Sequence, residues 1–520
     1  MNDDELQSLL SLAGQKRQSQ QWFEAVQLYR QLEDSLRGNA AFHHNLALCL
    51  FGANQPEAAL VQADVALDLQ ASLWQSAVVK VRALSALGRS PDAAKLLQTL
   101  HCCHPEQAEF SLELATIALH DECDARDARN LVKPFMTSPA HSADASLTDL
   151  MASQYDRDES AQSLNERVKQ FARTHLDRSQ SVVSTQIHPG KRTRLRIGLL
   201  SPQFNCSPVF FFCIGALRLL AQEFDLYFFH RGHHVDWATE QLRSLSSQWF
   251  DVVSLSADQL DPFLRQLTLD VLVDLGGWMD PIALKAISTK PAARMYKWVG
   301  GQSITTGLCA FDGFITDEQQ TPVGYEAWFT EPLVRLPKGY VTYTPPPYMP
   351  APVVNNADGH VLGIIANPVK VSKAFLSQLN ATLLSSAATP VQLRFIDKRY
   401  QCDKLKNRIL SALQPAQIEM GQQLSVQFIS PNDHPSYLGA VRQLSEMIDT
   451  FPYTGGLTTM EALTLGVACS GQEGTLFCER HTHAHLHYMR QPGRPRSNHA
   501  ALANSLSHLF KHGTLGEVAV

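Results

Sequence analysis

This chain of 520 residues lacks several features that would assign a protein to a class at once. It has no uninterrupted apolar run approaching the roughly 18 residues of a membrane-spanning helix, so we predict no membrane span. Its ten cysteines form no C-x-x-C pair, and Cys102-Cys103-His104 precedes no second ligand pair at zinc spacing. We therefore expect no metal and reduced thiols. Its acidic start, MNDDELQSLLSLAGQ, differs from a secretory signal, and a cytoplasmic location is expected.

The chain also lacks an excess of positive charge. Its 44 Lys and Arg stand against 50 Asp and Glu, which gives a formal net charge of −6. No global basic field favours nucleic acid or an anionic lipid surface, and neither is expected as a partner. With 44% hydrophobic and 18% charged residues, the composition is that of a soluble globular protein. The length exceeds what one hydrophobic core supports, which predicts several domains.

Residues 1–136 contain a repeated helical phrase. WFEAVQLY, PEAALVQA and PDAAKLLQ share small alanines, and Ala25, Ala58 and Ala93 follow one another at 33 and then 35 residues. These spacings bracket the roughly 34-residue period of a tetratricopeptide repeat. Stacked repeats form a groove, so we predict a helical array that holds a protein partner. A plain helical bundle remains the alternative.

After a predicted linker at 137–193, with one helix over LNERVKQFARTHL, the pattern changes to short apolar runs typical of buried parallel strands. They predict two doubly wound α/β domains, 194–345 and 346–520, separated by the proline-rich segment 343–353. Ligands of such sheets bind at the carboxyl ends of the strands, here in a cleft between the domains. The predicted strands are 194–201, 224–230, 250–255, 270–277, 360–366, 391–397 and 424–430.

The segment 447–471 carries the pattern that most clearly points to ligand binding. Gly455 and Gly456 permit a tight turn before a predicted helix, whose amino end offers N–H groups to a diphosphate. Thr458 and Thr459 add hydroxyl donors, and Glu461, expected in the first helical turn, suits ribose hydroxyls. An ordinary helix with a threonine N-cap and an early glutamate would show the same pattern.

Two further side chains lie near the expected cleft, and the histidines of one segment invite a metal interpretation. Lys370 follows the strand 360–366 and suits the charge of a leaving diphosphate, although a solvated surface lysine is the alternative. Tyr437 suits stacking on a nucleobase, and a structural tyrosine is its alternative. His481, His483, His485 and His487 alternate in a segment that looks helical, which scatters them around the axis and argues against a shared metal.

Taken together, these segments resemble the O-linked N-acetylglucosamine transferase family, in its bacterial and SPINDLY-like branches. The resemblance covers about 190–490, and the helical repeats before it match the family's domain order. It implies a GT-B pair of Rossmann-like domains and a protein O-glycosyltransferase that inverts the sugar and needs neither metal nor cofactor. The motifs are IGLLSPQF (197–204), DVLVDLGG (270–277), TTGL (305–308), FDGFITDE (311–318), YEAWFTEPLVRLP (325–337) and DTFPYTGGLTTMEAL (449–463).

The resemblance also implies roles for individual residues. Lys370 matches the lysine that contacts the diphosphate of a nucleoside-diphosphate sugar, expected to be UDP-linked. Thr458 and Glu461 fall in the turn and helix that hold phosphate and ribose. Asn367 matches a polar donor-site position, and Tyr437 falls where the family usually has a base-stacking histidine.

The sequence departs from the family pattern in several places, and three residues matter most for the expected chemistry. Ser207 stands where a histidine usually lies close to the transferred sugar, and Trp278 and Met279 follow Gly277 where a histidine or tyrosine is common. The departures favour an alternative, a non-catalytic protein that binds a nucleotide sugar or a partner transferase through its repeats. Transfer to a carbohydrate or small molecule is a third possibility, which would leave the repeats without an evident role.

Overall fold

The structure, a computed structural model, describes residues 3–178, 193–352, 360–385, 390–490 and 498–515. The described chain forms two compact units. One comprises the residues up to Asp121 with Asp127–Asp149 and Ser254–Ser256, and the other comprises Glu122–Arg126, Leu150–Val253 and the chain from Ala257 onward. No helix in the described ranges has the length and apolar character needed to cross a membrane.

The first unit is built from helices of regular spacing. Helices α2, α4 and α6 begin at residues 22, 56 and 90, and α3, α5 and α7 begin at 40, 74 and 108, so both series repeat every 34 residues. This is the tetratricopeptide-like period. The helices are α1 (Asp3–Gln18), α2 (Trp22–Leu36), α3 (Ala40–Gly52), α4 (Pro56–Leu69), α5 (Trp74–Ala86), α6 (Ser90–Cys103) and α7 (Ala108–His120).

The structure corrects the predicted alanine positions of the repeat. Ala25, Ala59 and Ala93 are fully buried, whereas Ala58 is only half-buried. The equivalent small residue of the second repeat is therefore Ala59, and both intervals are 34 residues rather than 33 and 35. Adjacent alanines in AA pairs made the two positions indistinguishable from sequence, because only the helix phase decides which one faces inward.

Three helices follow the repeats, α8 (Ala125–Val132), α9 (Ser142–Ser153) and α10 (Ala161–Phe171), and a π-helical turn at Ala172–Leu176 extends α10. The predicted linker was expected to hold one helix, which corresponds to α10 and its extension. The structure adds α9, which the sequence obscured because Ser and Asp are typical of caps and turns. Residues 179–192 of the predicted linker lie outside the described part.

The first α/β sheet has seven parallel strands in the order β3-β2-β1-β4-β5-β6-β7. Its strands are β1 (Arg196–Ser201), β2 (Asp225–His230), β3 (Gln248–Asp251), β4 (Val271–Asp274), β5 (Arg294–Lys297), β6 (Gly313–Thr316) and β7 (Leu333–Arg335). The helices connecting them are α11 (Pro208–Glu223), α12 (Trp237–Leu245), α13 (Ala257–Gln266) and α14 (Pro281–Ile287).

Two expectations for this sheet need correction. The strand predicted at 250–255 lies at Gln248–Asp251, because the edge strand pairs through its partly exposed residues and the apolar Val252-Val253 follow it. Strands β5, β6 and β7 were not predicted, since each has only three or four residues. Runs this short carry little periodic signal.

The second sheet has five parallel strands in the order β10-β9-β8-β11-β12. Its strands are β8 (His360–Ile364), β9 (Val391–Ile396), β10 (Leu424–Ile429), β11 (Glu446–Ile448) and β12 (Ala468–Ser470), and only the first three were predicted. The helices of this part of the chain are α15 (Lys373–Ser385), α16 (Asp403–Met420), α17 (His434–Val441), α18 (Leu457–Thr464), α19 (His481–Arg490) and α20 (His499–His512).

The connection between the sheets confirms the GT-B type arrangement. Residues 343–352 contain no helix or strand, as their prolines predict, and residue 353 lies outside the described part. The last helix, α20, returns to the first sheet, where Phe510 packs on Phe224 at a ring separation of 6.2 Å. The fold is therefore a pair of Rossmann-like domains that follows helical repeats in the chain.

Candidate functional site

The candidate site lies at the carboxyl edge of the second sheet. Strands β8 and β11 are neighbours in this sheet, so the segments that follow them meet at the same edge. One segment carries Asn367 and Lys370, and the other runs from Asp449 to Gly455 and leads into α18. This is the edge at which doubly wound sheets bind ligands.

Lys370 links the two segments. Its Nζ donates a hydrogen bond to the Thr454 carbonyl at 2.7 Å and lies 4.1 Å from the centre of the Tyr453 ring. Burial lowers the pKa of Lys370 to about 8, against the opposing effect of the nearby Asp449 carboxylate. The cation is thus held in one place with few charge partners, which suits it to an anionic ligand.

Asp449 organises the turn that follows β11. Its carboxylate accepts hydrogen bonds from the backbone N–H groups of Gly455 at 2.8 Å and Thr450 at 2.8 Å, and from the Thr482 hydroxyl at 2.5 Å. Burial raises the pKa of Asp449, while these hydrogen bonds and Lys370 favour its charged form. These hydrogen bonds occupy the carboxylate, so Asp449 holds the turn together.

The amino end of α18 is open. Gly456 is its N-cap, and among the described residues no side chain caps the helix or accepts from the N–H groups of its first three residues. A Cβ on Gly456 would meet nothing within 4 Å, whereas a Cβ on Gly455 would lie 2.5 Å from the Thr459 hydroxyl oxygen. Free N–H groups, a positive dipole end and open space together form an anion-binding arrangement.

The predicted hydroxyl donors occupy different places. Thr459 is fully buried, and its hydroxyl bonds the Gly455 carbonyl at 3.1 Å and Thr482 at 2.8 Å. Thr458 is half-buried, and its hydroxyl has no hydrogen-bond partner in the described chain. Of the two, Thr458 is therefore the one whose hydroxyl is free for a ligand.

Glu461 differs from its prediction in position and pairing. Helix α18 begins at Leu457 with a glycine N-cap, so Glu461 lies in the second turn rather than the first, and the alternative of an ordinary helix with a threonine N-cap is also wrong. The carboxylate, 1% exposed, accepts a hydrogen bond from His434 Nε2 at 2.7 Å. Its ribose role stays a prediction, and in this structure that carboxylate is shared with a histidine.

Sequence reasoning missed His434. Its Nδ1 lies 3.0 Å from the Tyr348 hydroxyl, and its other nitrogen contacts Glu461. Burial alone would lower the pKa of His434, but hydrogen bonds with Cys206 and Glu461 and the glutamate charge raise it to about 9. The ring therefore pairs with Glu461 as a cation. The two side chains stand 27 residues apart, so no local pattern indicates the pair.

Tyr437 and Asn367 lie beside these groups. The Tyr437 ring stacks on His434 at 5.9 Å and 20°, and its hydroxyl donates to the Ile365 carbonyl at 3.4 Å. The Asn367 side-chain oxygen accepts from the Val369 N–H at 3.2 Å and from Arg399 at 2.7 Å. Both residues lie at the predicted edge, and their contacts to a donor stay predictions.

The departures on the first sheet have structural roles. The Ser207 hydroxyl donates to the Gln203 carbonyl at 2.8 Å at the start of α11, and the residue is buried. Trp278 is buried as well, and its indole N–H donates to the Thr305 carbonyl at 2.9 Å. Ser207 is thus close to the strand ends of the first sheet, but its hydroxyl is committed to the backbone.

No cluster of three or more metal-binding side chains occurs in the described ranges. Asp156 and Asp158 are separated by one residue, a spacing able to hold a divalent cation, but Arg126 occupies both carboxylates at 2.7 and 3.0 Å. The histidines of 481–487 lie on the helix α19, as predicted. At the carboxyl edge of the second sheet, the described residues therefore offer the Lys370 ammonium and the N–H groups of α18, which suit an anion.

The sequence is similar to those of plant proteins of the SPINDLY type. The chain is 31% identical over 243 residues to the SPINDLY protein of Solanum lycopersicum, described as a probable UDP-N-acetylglucosamine–peptide N-acetylglucosaminyltransferase, and 30% identical over 243 residues to that of Arabidopsis thaliana. Each match covers 46% of this chain and 25% of the relative, so the chain matches only a quarter of their length. No family model matches.

A solved structure extends the likeness in fold to nearly the whole chain. A mutant of the O-GlcNAc transferase of Thermobaculum terrenum superposes with a TM-score of 0.66 over 98% of this chain and 93% of that one, at 22% identity. At this identity the match concerns the fold, and the plant relatives supply the sequence relationship. The resemblance seen in the motifs is thereby confirmed: the chain is similar in sequence to SPINDLY-like transferases of plants and in fold to a bacterial O-GlcNAc transferase.

Proposed function

We propose that this chain is a glycosyltransferase that moves a sugar from a nucleoside-diphosphate donor, UDP-linked, to a Ser or Thr hydroxyl of an acceptor protein. The names of its relatives describe such a transfer from UDP-N-acetylglucosamine to peptide. The observation that carries the proposal is the Lys370 ammonium at the strand edge that also holds the open amino end of α18. Together they offer positive potential without a metal ion.

The chemistry follows from where charge develops. The acceptor oxygen attacks the anomeric carbon from the side opposite the diphosphate, the sugar–phosphate bond breaks, and its electron pair leaves on the diphosphate. Lys370, the first-turn N–H groups of α18 and Thr458 would neutralise that charge as it appears, which is where preorganised groups accelerate a reaction most. Inversion at the anomeric carbon is the result of this single displacement.

The acceptor proton needs a separate route. Ser207 stands at the position of the family histidine, and its hydroxyl donates to the Gln203 carbonyl. An ordinary serine hydroxyl is not a base near neutral pH, so we propose that the proton passes to water or to a donor phosphate oxygen. The helical array, whose period is 34 residues, would hold the acceptor protein, as such grooves do.

A single-turnover assay with UDP-N-acetylglucosamine and other nucleoside-diphosphate sugars tests this proposal. Intact-mass measurement of candidate acceptor proteins, and of released nucleoside diphosphate, reports the transfer. Lys370→Ala should reduce the rate by about 10²–10³, the usual cost of one preorganised donor. Ser207→Ala should stay within about tenfold, because it removes no general base. If the folded wild type turns over no sugar donor, the enzymatic proposal fails.

A further inference from the structure

A short segment of the chain upstream of both Rossmann-like domains packs against the candidate site. It lies between α9, which ends at Ser153, and α10, which begins at Ala161. The ring of Tyr155 stacks on the ring of Tyr453 with centres 5.1 Å apart and planes 15° apart. Near-parallel aromatic pairs at this separation are favourable packing arrangements. The contact joins this segment to the loop between Asp449 and Gly455.

Tyr453 is also the ring against which Lys370 rests. The lysine Nζ lies 4.1 Å from the centre of that ring and 2.7 Å from the carbonyl of the next residue, Thr454. A cation over a desolvated aromatic face is held by the ring quadrupole. Tyr155 therefore packs against the ring that sets the position and hydration of the ammonium.

A buried ion pair fixes the same segment. Arg157 Nη2 lies 2.5 Å from Glu479 Oε1, with both side chains largely buried. The second carboxylate oxygen of Glu479 accepts from the Thr475 and Leu476 N–H groups at 2.8 and 3.1 Å. The segment is thus anchored to a turn that is itself held in place by backbone hydrogen bonds.

That turn holds the carbonyl which binds Lys370. The Cys478 carbonyl accepts from the Thr454 N–H at 2.9 Å and from the Thr454 hydroxyl at 3.0 Å. Arg157 and Tyr155 therefore reach the two groups around the ammonium, Thr454 and Tyr453, by separate contacts. Arg157 Nη1 is buried without a hydrogen-bond partner in the described chain, and this unsatisfied donor reduces the stability that the ion pair contributes.

We propose that Tyr155 is a positioning residue for the donor site, acting through Tyr453 on the ammonium of Lys370. The inference rests on the proposed function in taking the ligand to be a nucleoside diphosphate. It assigns to the segment between the repeats and the transferase domains a part in donor binding. Removing the Tyr155 ring should let water reach the Tyr453–Lys370 contact and loosen the ammonium.

The test uses the full chain and a matched set of variants. Tyr155→Ala removes the ring, and Tyr155→Phe keeps the stack and loses only the hydroxyl. Tyr227→Ala is the control, because Tyr227 is also half-buried, stacks on Phe250 at 6.4 Å and has Arg196 over its ring at 5.6 Å, but lies on β2 of the first sheet. Thermal unfolding of all variants separates a local effect from general destabilisation.

Two readouts decide the matter. Competitive acylation of Lys370 across pH, followed by mass spectrometry, reports the lysine without any ligand. Burial lowers its pKa to about 8 in the wild type, so Tyr155→Ala should move the midpoint towards the ordinary lysine value, while Tyr155→Phe and Tyr227→Ala should leave it in place. UDP affinity by calorimetry should fall about tenfold in Tyr155→Ala alone, less than the roughly 10²–10³ expected when a preorganised donor is removed outright, because the ammonium is loosened but still present.

The two proposals fail in different ways. An unchanged Lys370 midpoint in Tyr155→Ala, or UDP affinity within twofold of Tyr227→Ala, overturns the positioning role. The other outcome is that the wild type binds no UDP, while the acylation midpoint of Lys370 differs between the wild type and Tyr155→Ala. In that case the action of Tyr155 on Lys370 is upheld, and the assignment of a nucleoside-diphosphate donor to this site is contradicted.

Discussion

At the scale of single residues, Lys370 has a fixed position and a lowered pKa. Burial lowers the pKa of Lys370 to about 8, and the charge of the Asp449 carboxylate opposes this shift. That carboxylate already accepts hydrogen bonds from Gly455, Thr450 and Thr482. Such an ammonium has already lost much of its hydration, so an anion that binds beside it stabilises its charge. Affinity for an anion should therefore follow the protonation of this one group.

The first prediction is that UDP affinity falls as pH rises through about 8, by up to about tenfold per pH unit. The ammonium form binds the diphosphate; it is populated below the pKa of Lys370 and lost above it. Calorimetry from pH 7 to 9.5 measures the affinity, and Lys370→Arg, which keeps its charge over this range, is the control. Equal affinity of the wild type at pH 7 and 9.5 would contradict the assignment.

The second prediction separates the two glycines of the turn. Gly455→Ala places a Cβ 2.5 Å from Thr459 Oγ1 and 2.9 Å from Thr458 Oγ1, and should lower the free energy of unfolding by about 1–3 kcal/mol, the usual cost of overpacking. Gly456→Ala meets no atom within 4 Å and should cost only about 0.5–1 kcal/mol, because alanine is a poorer N-cap than glycine. Urea unfolding measures both.

Nucleotide binding gives the two glycine variants a second comparison. If the phosphates lie in the open space over Gly456, the methyl of Gly456→Ala should weaken UDP binding by more than its small loss of stability explains, in a protein that remains folded. A stable Gly456→Ala protein with wild-type affinity would place the phosphates elsewhere.

At the scale of elements, helices α17 and α18 are joined through a partly buried pair, in which the Glu461 side chain is 1% exposed and the His434 side chain 22%. His434 opens α17, Glu461 lies in the second turn of α18, and their side chains meet at 2.7 Å. Breaking such a pair by removing one partner strands a buried charge, whereas replacing both by apolar groups is often tolerated. The pair therefore makes the helix contact sensitive to single substitutions.

The third prediction is that His434→Leu lowers the free energy of unfolding by about 3 kcal/mol, because Glu461 stays buried without its cation. The double variant His434→Leu/Glu461→Met should recover most of the loss, since the two effects are coupled. Urea unfolding of the four proteins in the cycle gives the coupling free energy. Additive losses would show that the two side chains do not stabilise each other.

The sequence allowed some of these elements to be predicted and hid others for physical reasons. The long apolar strands β1, β2, β8 and β9 were predicted because buried parallel strands are continuous apolar runs. Strand β11 was not, because it is three residues long and precedes a glycine turn. The turn itself was predicted from its glycines, whereas the His434–Glu461 and Tyr155–Tyr453 contacts join distant segments and leave no local pattern.

At the scale of the whole molecule, the two compact units suggest a division of roles. The repeats form one regular series of period 34, and the groups of the candidate site lie in the second unit. Residues Glu122–Arg126 also belong to the second unit, where Arg126 binds Asp156 and Asp158. A deletion meant to remove only repeat helices should therefore stop before residue 122.

The fourth prediction is that deletion of residues 1–121 leaves UDP affinity nearly unchanged and reduces acceptor modification. The repeats would supply the groove for the acceptor and no group of the donor site. Calorimetry and the intact-mass transfer assay measure the two effects, with near-ultraviolet circular dichroism as the check on folding. Collapse of donor affinity in a well-folded truncation would contradict this division of roles.

The central claim is that a nucleoside diphosphate binds at Lys370 without a metal ion. Calorimetry of the full chain with UDP, in a buffer containing a chelator, tests it most directly against Lys370→Ala. We expect the wild type to bind in chelator, with no gain on adding magnesium or manganese, and Lys370→Ala to lose most of the affinity while remaining folded. Binding that requires a divalent ion, or a folded Lys370→Ala protein with wild-type affinity, would contradict the claim.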